Sequence, residues 1–372
     1  MNEDLRYIIA LLGIKGIGSA ITRHLIDEFG SAKAVFEADA ALLANMQGIG
    51  NLLISQRENK ELFAKADSEL DFIQSHNIKA YIYGQKGYPQ RLLDCQDAPA
   101  LLFYLGNADL DNRHIISIVG TRNATQYGRE NVANLINGIK EAIPDALIVS
   151  GLALGIDISA HKAALEAQLP TVGVVAHGLD RIYPSNHRNI AKQMIAQGGG
   201  LLSEYTSGID PERGNFLARN RIIAGLSDAV IVAESRESGG SLVTASIAID
   251  YNRDVFAFPG RTNDDRSKGC NRLIRLNRAG LITCAEDFLE SMRWDNSSSH
   301  QGFIQHSIPF EEENLSENGR LIIDALRDKG DLVISQLSDV TNLDHSTLYE
   351  ELLTLEMDGK IRSTPGGLYQ LR

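Results

Sequence analysis

Four short segments of this chain combine glycine, serine and arginine in the way a phosphate-binding surface requires. They are Gly120-Thr121-Arg122, the stretch opened by Ser150-Gly151, the run from Arg213 to Arg221, and Ser238-Gly239-Gly240-Ser241. Glycine lets the backbone come close to an oxyanion, and each segment leads into a helical pattern whose first turn offers unpaired N–H donors and a partial positive charge. Arg122, Arg213 and the Arg219-Asn220-Arg221 cluster add forked, permanently charged donors suited to phosphate oxygens. Any one of these loops could merely end a strand and cap a helix, with its arginine in a surface ion pair. Four of them in series predict a common anion site.

Other chemistries find little support. No strand-like run is followed by Gly-x-Gly-x-x-Gly, and there is neither a Gly-x-x-x-x-Gly-Lys-Ser/Thr loop nor a Gly-x-Ser-x-Gly elbow. Asp157 and His161 stand four apart at a helix start and could share one face, but the simpler reading makes Asp157 a helix cap and His161 a polar residue on the helix surface. The remaining histidines lack ligand spacing, so no metal and no cofactor is expected.

The elements that must position these loops are legible as alternating patterns. Short β-branched runs at 115–119, 147–149, 171–175, 201–205, 229–233 and 254–258 alternate with helical patterns at 127–143, 158–168, 187–197, 216–226 and 241–252. This predicts an α/β fold, a doubly wound Rossmann-like and mostly parallel sheet, whose ligand edge lies beyond the carboxyl ends of its strands. Phe216 opens a helix at that edge, and Ile222, Ile223 and Leu226 already supply the helix with an apolar face, so Phe216 is expected to point outward. Residues 1–70 read as a helical module with two turns, Gly16-Ile17-Gly18 and Gly48-Ile49-Gly50, of helix-hairpin-helix type. Those glycines either present N–H groups to a phosphate or let small helices pack closely. The central domain is expected over 71–290 and a linker over 291–315, where Ser297–Ser299 and Glu311–Glu313 lie. Residues 316–372 carry helical patterns at 319–326, 334–341 and 345–357, then a hairpin turning at Pro365-Gly366-Gly367, which predicts a small winged helix-turn-helix.

With 372 residues, 43% hydrophobic and 23% charged, the chain is neither fibrous nor wholly disordered, and no apolar run reaches the roughly 18 residues a membrane span needs. Glu3 and Asp4 precede a brief apolar run, unlike a secretory signal. Cys95, Cys270 and Cys284 are odd in number and far apart, as expected of reduced thiols in a cytoplasmic protein. The net charge of −12 opposes general attraction to nucleic acid or anionic membrane but leaves room for a local basic site.

Ser150-Gly151-Leu152-Ala153-Leu154-Gly155-Ile156-Asp157-Ile158-Ser159-Ala160-His161 resembles the Ser-Gly-x-Ala-x-Gly-Ile-Asp-x-x-Ala-His motif of the DNA processing protein A (DprA/Smf) family. Gly120-Thr121-Arg122, Phe216-Leu217-Ala218-Arg219-Asn220-Arg221-Ile222-Ile223-Ala224 and Ser238-Gly239-Gly240-Ser241-Leu242-Val243-Thr244-Ala245 are similar to three further motifs of that family, in the same order. Leu217 departs from the usual proline, and the Ser238 loop carries an extra glycine. The resemblance implies a non-enzymatic protein that binds single-stranded DNA in natural transformation, protects incoming strands and loads RecA recombinase. It also implies that Arg122 contacts the DNA backbone, that Arg213 and Phe216 are a basic and an aromatic DNA contact, and that a homodimer forms around Leu273–Leu281, where Leu273, Ile274, Leu276 and Leu281 either supply its apolar face or pack inside the monomer. A nucleotide phosphoribohydrolase on a related fold would need a Pro-Gly-Gly-x-Gly-Thr-x-x-Glu loop, and residues 238–246 offer no glutamate. A transcription-factor reading of the last domain meets a run of acids, from Asp324 to Glu351, that suits duplex phosphates poorly.

Overall fold

Strands buried on both faces are written as near-continuous apolar runs, and the centre of this structure follows from that rule. The computed structural model describes residues 3–44, 46, 48–294, 315–364 and 368–371. The chain divides into two compact units, Met1–Asn296 and Ser297–Arg372.

In the first unit nine strands form one sheet: β1 (Lys79–Ile82), β2 (Leu101–Gly106), β3 (Ile115–Gly120), β4 (Leu147–Ser150), β5 (Thr171–Val174), β6 (Gly200–Ser203), β7 (Ala229–Glu234), β8 (Asp254–Ala257) and β9 (Gly280–Leu281). Their order is β1-β2-β6-β5-β4-β3-β7-β8-β9. The stretch from β6 to β9 is parallel throughout, as expected for a doubly wound α/β sheet. Alternation along β7 divides the core in two. Val230 and Val232 pack with Ile222, Leu226, Ala245 and Ala248 from helices Arg213–Leu226 and Gly240–Asp250. Ala229, Ile231 and Ala233 face Val132, Ile136, Ala160 and Ala164 from helices Gln126–Ala142 and Ile156–Glu166 on the other side.

The sheet begins earlier in the chain than expected. β1 and β2 extend it by an antiparallel pair, and β2 joins β6 antiparallel. Their inner residues carry the N-terminal helices: Leu101, Phe103 and Ile82 share a core with Ile8, Leu11, Leu25, Phe36 and Leu62. The expected domain boundary at residue 70 therefore falls inside one continuous helix, Lys60–Ser75. From that helix Glu69 accepts the Ser207 N–H with both carboxylate oxygens at 3.0 Å and also takes the Ser207 hydroxyl. Of the two Gly-Ile-Gly turns, the second shows the packing role directly. A Cβ on Gly50 would stand 1.9 Å from the Leu43 carbonyl oxygen, which only glycine allows.

The second unit holds helices Glu317–Lys329, Ile334–Thr341 and His345–Met357 and three short strands: β10 (Leu332–Val333), β11 (Ile361–Thr364) and β12 (Leu368–Leu371), in the antiparallel order β10-β12-β11. Its core gathers Ile322, Leu326, Leu337, Leu348, Leu352 and Ile361. Of the expected linker, Ser291 and Met292 end the helix Ala285–Met292, and residues 295–314 lie outside the described ones, as does the expected turn at Pro365–Gly367. No described helix is long and apolar enough to cross a membrane.

One carboxylate ties the lead-in segment to the sheet. Asp228 accepts Arg91 Nε at 2.8 Å and Nη2 at 2.9 Å, together with the Ile115 N–H at 2.8 Å. Asp228→Ala strands the half-buried guanidinium and a backbone donor at the start of β3. Chemical denaturation should register a loss of about 2–3 kcal/mol.

Candidate nucleic-acid interface

Strand order reverses at β3: β4, β5 and β6 follow to one side, β7, β8 and β9 to the other. Loops leaving the carboxyl ends of the flanking strands diverge there, and a cleft of about 220 Å³ opens between them. Gly120, Thr121 and Arg122 after β3 form one wall. Ser235, Arg236 and the Ser238–Ser241 loop after β7 form the other. Phe216 and Asn220 of helix Arg213–Leu226 close the cleft from the side, and Asp157 and Arg219 line its depth.

Backbone fit brings these loops together. The Thr121 N–H donates to the Glu234 carbonyl at 2.8 Å, and the Ile156 N–H to the Thr121 carbonyl at 3.1 Å. Gly155 has φ +79, and a Cβ there would stand 2.2 Å from the Thr121 carbonyl oxygen, so the loop after β4 can pass the loop after β3 only with glycine. Leu152 adopts φ +53, a conformation rare for leucine. Full burial and His187, whose Nδ1 donates to the Leu152 carbonyl at 2.9 Å, hold it there. At the end of β7, Glu234 turns inward and accepts both the N–H and the hydroxyl of Thr125, which caps helix Gln126–Ala142. The helix Gly240–Asp250 starts at Gly239 with no side-chain cap, leaving its first-turn donors beside the cleft.

Beneath the opening lie a guanidinium and a carboxylate with almost no access to water. Arg219 is 3% exposed and Asp157 7%. Arg219 Nη1 donates to the Gly151 carbonyl at 2.6 Å and also to the Val174 carbonyl. Burial lowers the Arg219 guanidinium to about 10, with Asp157 acting against that shift, so Arg219 stays protonated at neutral pH. Burial likewise pushes the Asp157 carboxyl up, opposed by Arg219 and by hydrogen bonds from the backbone of Ala153 and Gly151.

The expected site residues separate into two groups. Gly120, Thr121, Arg122, Phe216, Asn220, Gly239, Gly240 and Ser241 all line the cleft. Arg122 is exposed, and its guanidinium carbon lies 5.2 Å from the centroid of the Phe216 ring, within cation–π reach. Phe216 is half-buried and lies outside the apolar core. Arg219 also lines the cleft but serves it from below, bound to two carbonyls. Arg221 is not brought to the cleft: its two terminal nitrogens hold the Glu204 carboxylate at 2.7 and 2.6 Å, with Asp97 a further 3.6 Å partner. Arg213 is exposed at the first position of its helix, outside the cleft lining. Ser150 is fully buried, its hydroxyl donating to the Ile118 carbonyl at 2.6 Å, and Gly151 contributes its backbone.

Two expectations need correcting. Asp157 is no cap, since Gly155 occupies that position. His161 is not on the helix surface but fully buried, because the helix Ile156–Glu166 packs that face against the sheet. Sequence reasoning also passed over the loop after β5, where Tyr183 stands half-exposed beside Phe216. The strand-end rule that picked out the other loops applies equally there.

The profile of the DNA recombination-mediator protein A family matches residues 79–293. The chain belongs to that family. Among relatives of the recombination-mediator family, Protein Smf of Synechocystis is 32% identical over the full length of both chains. DNA processing protein DprA of Streptococcus pneumoniae is 43% identical over 54% of this chain and 70% of its own. The X-ray structure of the Streptococcus pneumoniae protein superposes with a TM-score of 0.66 at 32% identity, covering 77% of this chain and 97% of that one. A structure of DNA processing protein A from Helicobacter pylori, described for its single-stranded DNA binding mode, gives a TM-score of 0.52 at 34% identity over 58% of this chain and 95% of that one. The matched region of the family profile contains the whole cleft.

Behind the cleft, His161 Nδ1 bonds the Thr171 hydroxyl at 2.7 Å, and because that hydroxyl donates to the Ile148 carbonyl, Nδ1 carries the proton. Nε2 is buried without a hydrogen-bond partner. Burial, aided by His187 and Arg219, lowers the imidazole to about 3. Between about pH 6.5 and 3 the unfolded chain binds a proton that the folded chain refuses, so stability falls on acidification by at most about 1.4 kcal/mol per pH unit. His161→Asn keeps a donor near the Nδ1 position and removes that titration. From pH 7 to pH 5 the native chain should lose about 2 kcal/mol more than the variant in denaturant unfolding. Equal losses would contradict a buried neutral imidazole.

Proposed function

We propose that the cleft at the β3–β7 switch point is a single-stranded DNA interface, and that the protein binds incoming single strands during natural transformation, protects them and hands them to RecA recombinase. The observation that carries this reading is the pairing of Arg122 with Phe216 at the cleft mouth, a charge for the backbone beside an aromatic face for a base. Every base has such a face, so the combination favours single strands without reading sequence. Membership of the recombination-mediator family and the single-strand binding named for the Helicobacter pylori protein support it. Exposed Arg236 adds charge in the cleft wall, and exposed Arg213 would extend it beyond the cleft along the DNA backbone. The role is binding and delivery in the cytoplasm, with no chemical step and no cofactor. A homodimer would form about Leu276 and Leu281, which are 49% and 51% exposed near edge strand β9, whereas Leu273 is spent in the core.

Titration of single-stranded against duplex DNA, with and without RecA, tests the reading. If Arg122, Arg213 and Arg236 each neutralise a phosphate, log K should fall against log salt with a slope of roughly −2 on single strands. Arg122→Ala should weaken binding to every sequence alike and flatten that slope. Phe216→Ala should weaken binding about 5- to 150-fold while the melting temperature barely moves. An unchanged affinity together with a large fall in melting temperature would place Phe216 in a structural role and sink the proposal for it.

A further inference from the structure

The 175–187 loop that follows β5 carries an aromatic residue with no task in the interface so far. Tyr183 is 50% exposed, and its ring centroid lies 5.8 Å from that of Phe216 with the planes tilted by 54°. Arg122, Phe216 and Tyr183 thus succeed one another at contact distance.

The loop is built to hold that ring in place. The Tyr183 N–H donates to His177 Nε2 at 3.2 Å, and His177 Nδ1 bonds the Gly178 carbonyl at 2.8 Å, which assigns the proton to Nδ1 and the acceptor to Nε2. Ser203 at the end of β6 donates its hydroxyl to the His177 carbonyl at 2.7 Å. Asp180 accepts the Gly208 N–H at 3.2 Å, and Arg181 bridges Asp180 and Asp210. An exposed aromatic side chain on a braced loop loses little freedom when a ligand covers it. Phe216 is its one ring neighbour among the described residues.

We propose that Tyr183 forms a second base-stacking subsite, which takes the nucleobase adjacent to the one on Phe216. This rests on the single-strand reading above. The rings are 5.8 Å apart, whereas one strand of a duplex advances about 3.4 Å per nucleotide. Neighbouring bases must unstack and splay to use both faces, which a single strand does readily and a duplex does not. The second subsite therefore adds discrimination against duplex DNA as well as affinity.

The experiment measures full-length protein on a ladder of oligothymidylates of increasing length, with Tyr183→Ala, Tyr183→Phe and Phe216→Ala compared to the native chain. Tyr183→Ala should bind the shortest oligonucleotides normally and lose affinity by about fivefold or more once the strand reaches the second subsite, while Tyr183→Phe, which keeps the ring, stays native. A Tyr183→Ala variant that matches the native chain at every length overturns the proposal. So does a loss that is equal at all lengths, which would mean that Tyr183 only props Phe216. If the native chain binds no single strand, or if Phe216→Ala too leaves all affinities unchanged, the interface reading itself falls and the subsite with it. An impaired Phe216→Ala beside a native-like Tyr183→Ala removes the subsite alone.

Discussion

Buried Arg219 is the joint on which the cleft is assembled. Helix Arg213–Leu226 contributes the guanidinium, helix Ile156–Glu166 the carboxylate, and the ends of β4 and β5 the carbonyls that Arg219 grips. Arg219 thus ties its own helix to the ends of two strands distant in the chain, with Asp157 close by. A charge taken out of water is costly unless hydrogen bonds replace its hydration. Arg219 meets this need at Nη1, which binds both carbonyls, while Nε is buried without a partner. Gly151 follows from the same joint: a Cβ there would press within 2.5 Å of Arg219 Nη1 and 2.6 Å of Asp157 Oδ2. The strained Leu152, the tight Gly155 crossing and the placement of Phe216 one helical turn before Arg219 all depend on this arrangement holding.

Much of this was legible in the chain, because a parallel sheet writes its strands as apolar runs and its ligand loops as glycine-rich strand ends. The expected strand at 229–233 and helix at 216–226 correspond to Ala229–Glu234 and Arg213–Leu226. The edge strand β1 escaped notice because it is only half-buried and carries a mixed pattern, and β2, which joins it antiparallel to β6, lies before the alternation of strands and helices begins. The fates of the arginines were illegible for a different reason. Arg122, Arg219 and Arg221 look alike in sequence, yet one is exposed, one is sunk beneath the cleft and one is clamped by Glu204. A guanidinium's role is set by whichever carboxylate or carbonyl the fold brings to it, and Val174 is 45 positions from Arg219. His161 was misplaced by the same ignorance of what covers its helix.

The division among arginines also explains how a chain of net charge −12 can present a cationic mouth. Acidic partners such as Glu204 and Asp228 are used up within the fold, each against a named guanidinium. Arg122 and Arg236 line the cleft while remaining exposed, and Arg213 is exposed beyond it. The potential felt by an incoming phosphate is set by these near charges, because charges beyond about 10 Å are largely screened at ordinary ionic strength.

Glu69 gives the N-terminal helices a bearing on the interface that no direct contact would suggest. Its carboxylate clasps Ser207, in the segment that joins β6 to the helix carrying Phe216 and Arg219. The N-terminal helices therefore act as a splint on the approach to that helix. A chain without them would keep every cleft residue but lose this anchor, so any ligand of the cleft would have to immobilise a segment that the native protein delivers already set. The cost would be entropic and would appear as faster dissociation rather than as a missing contact.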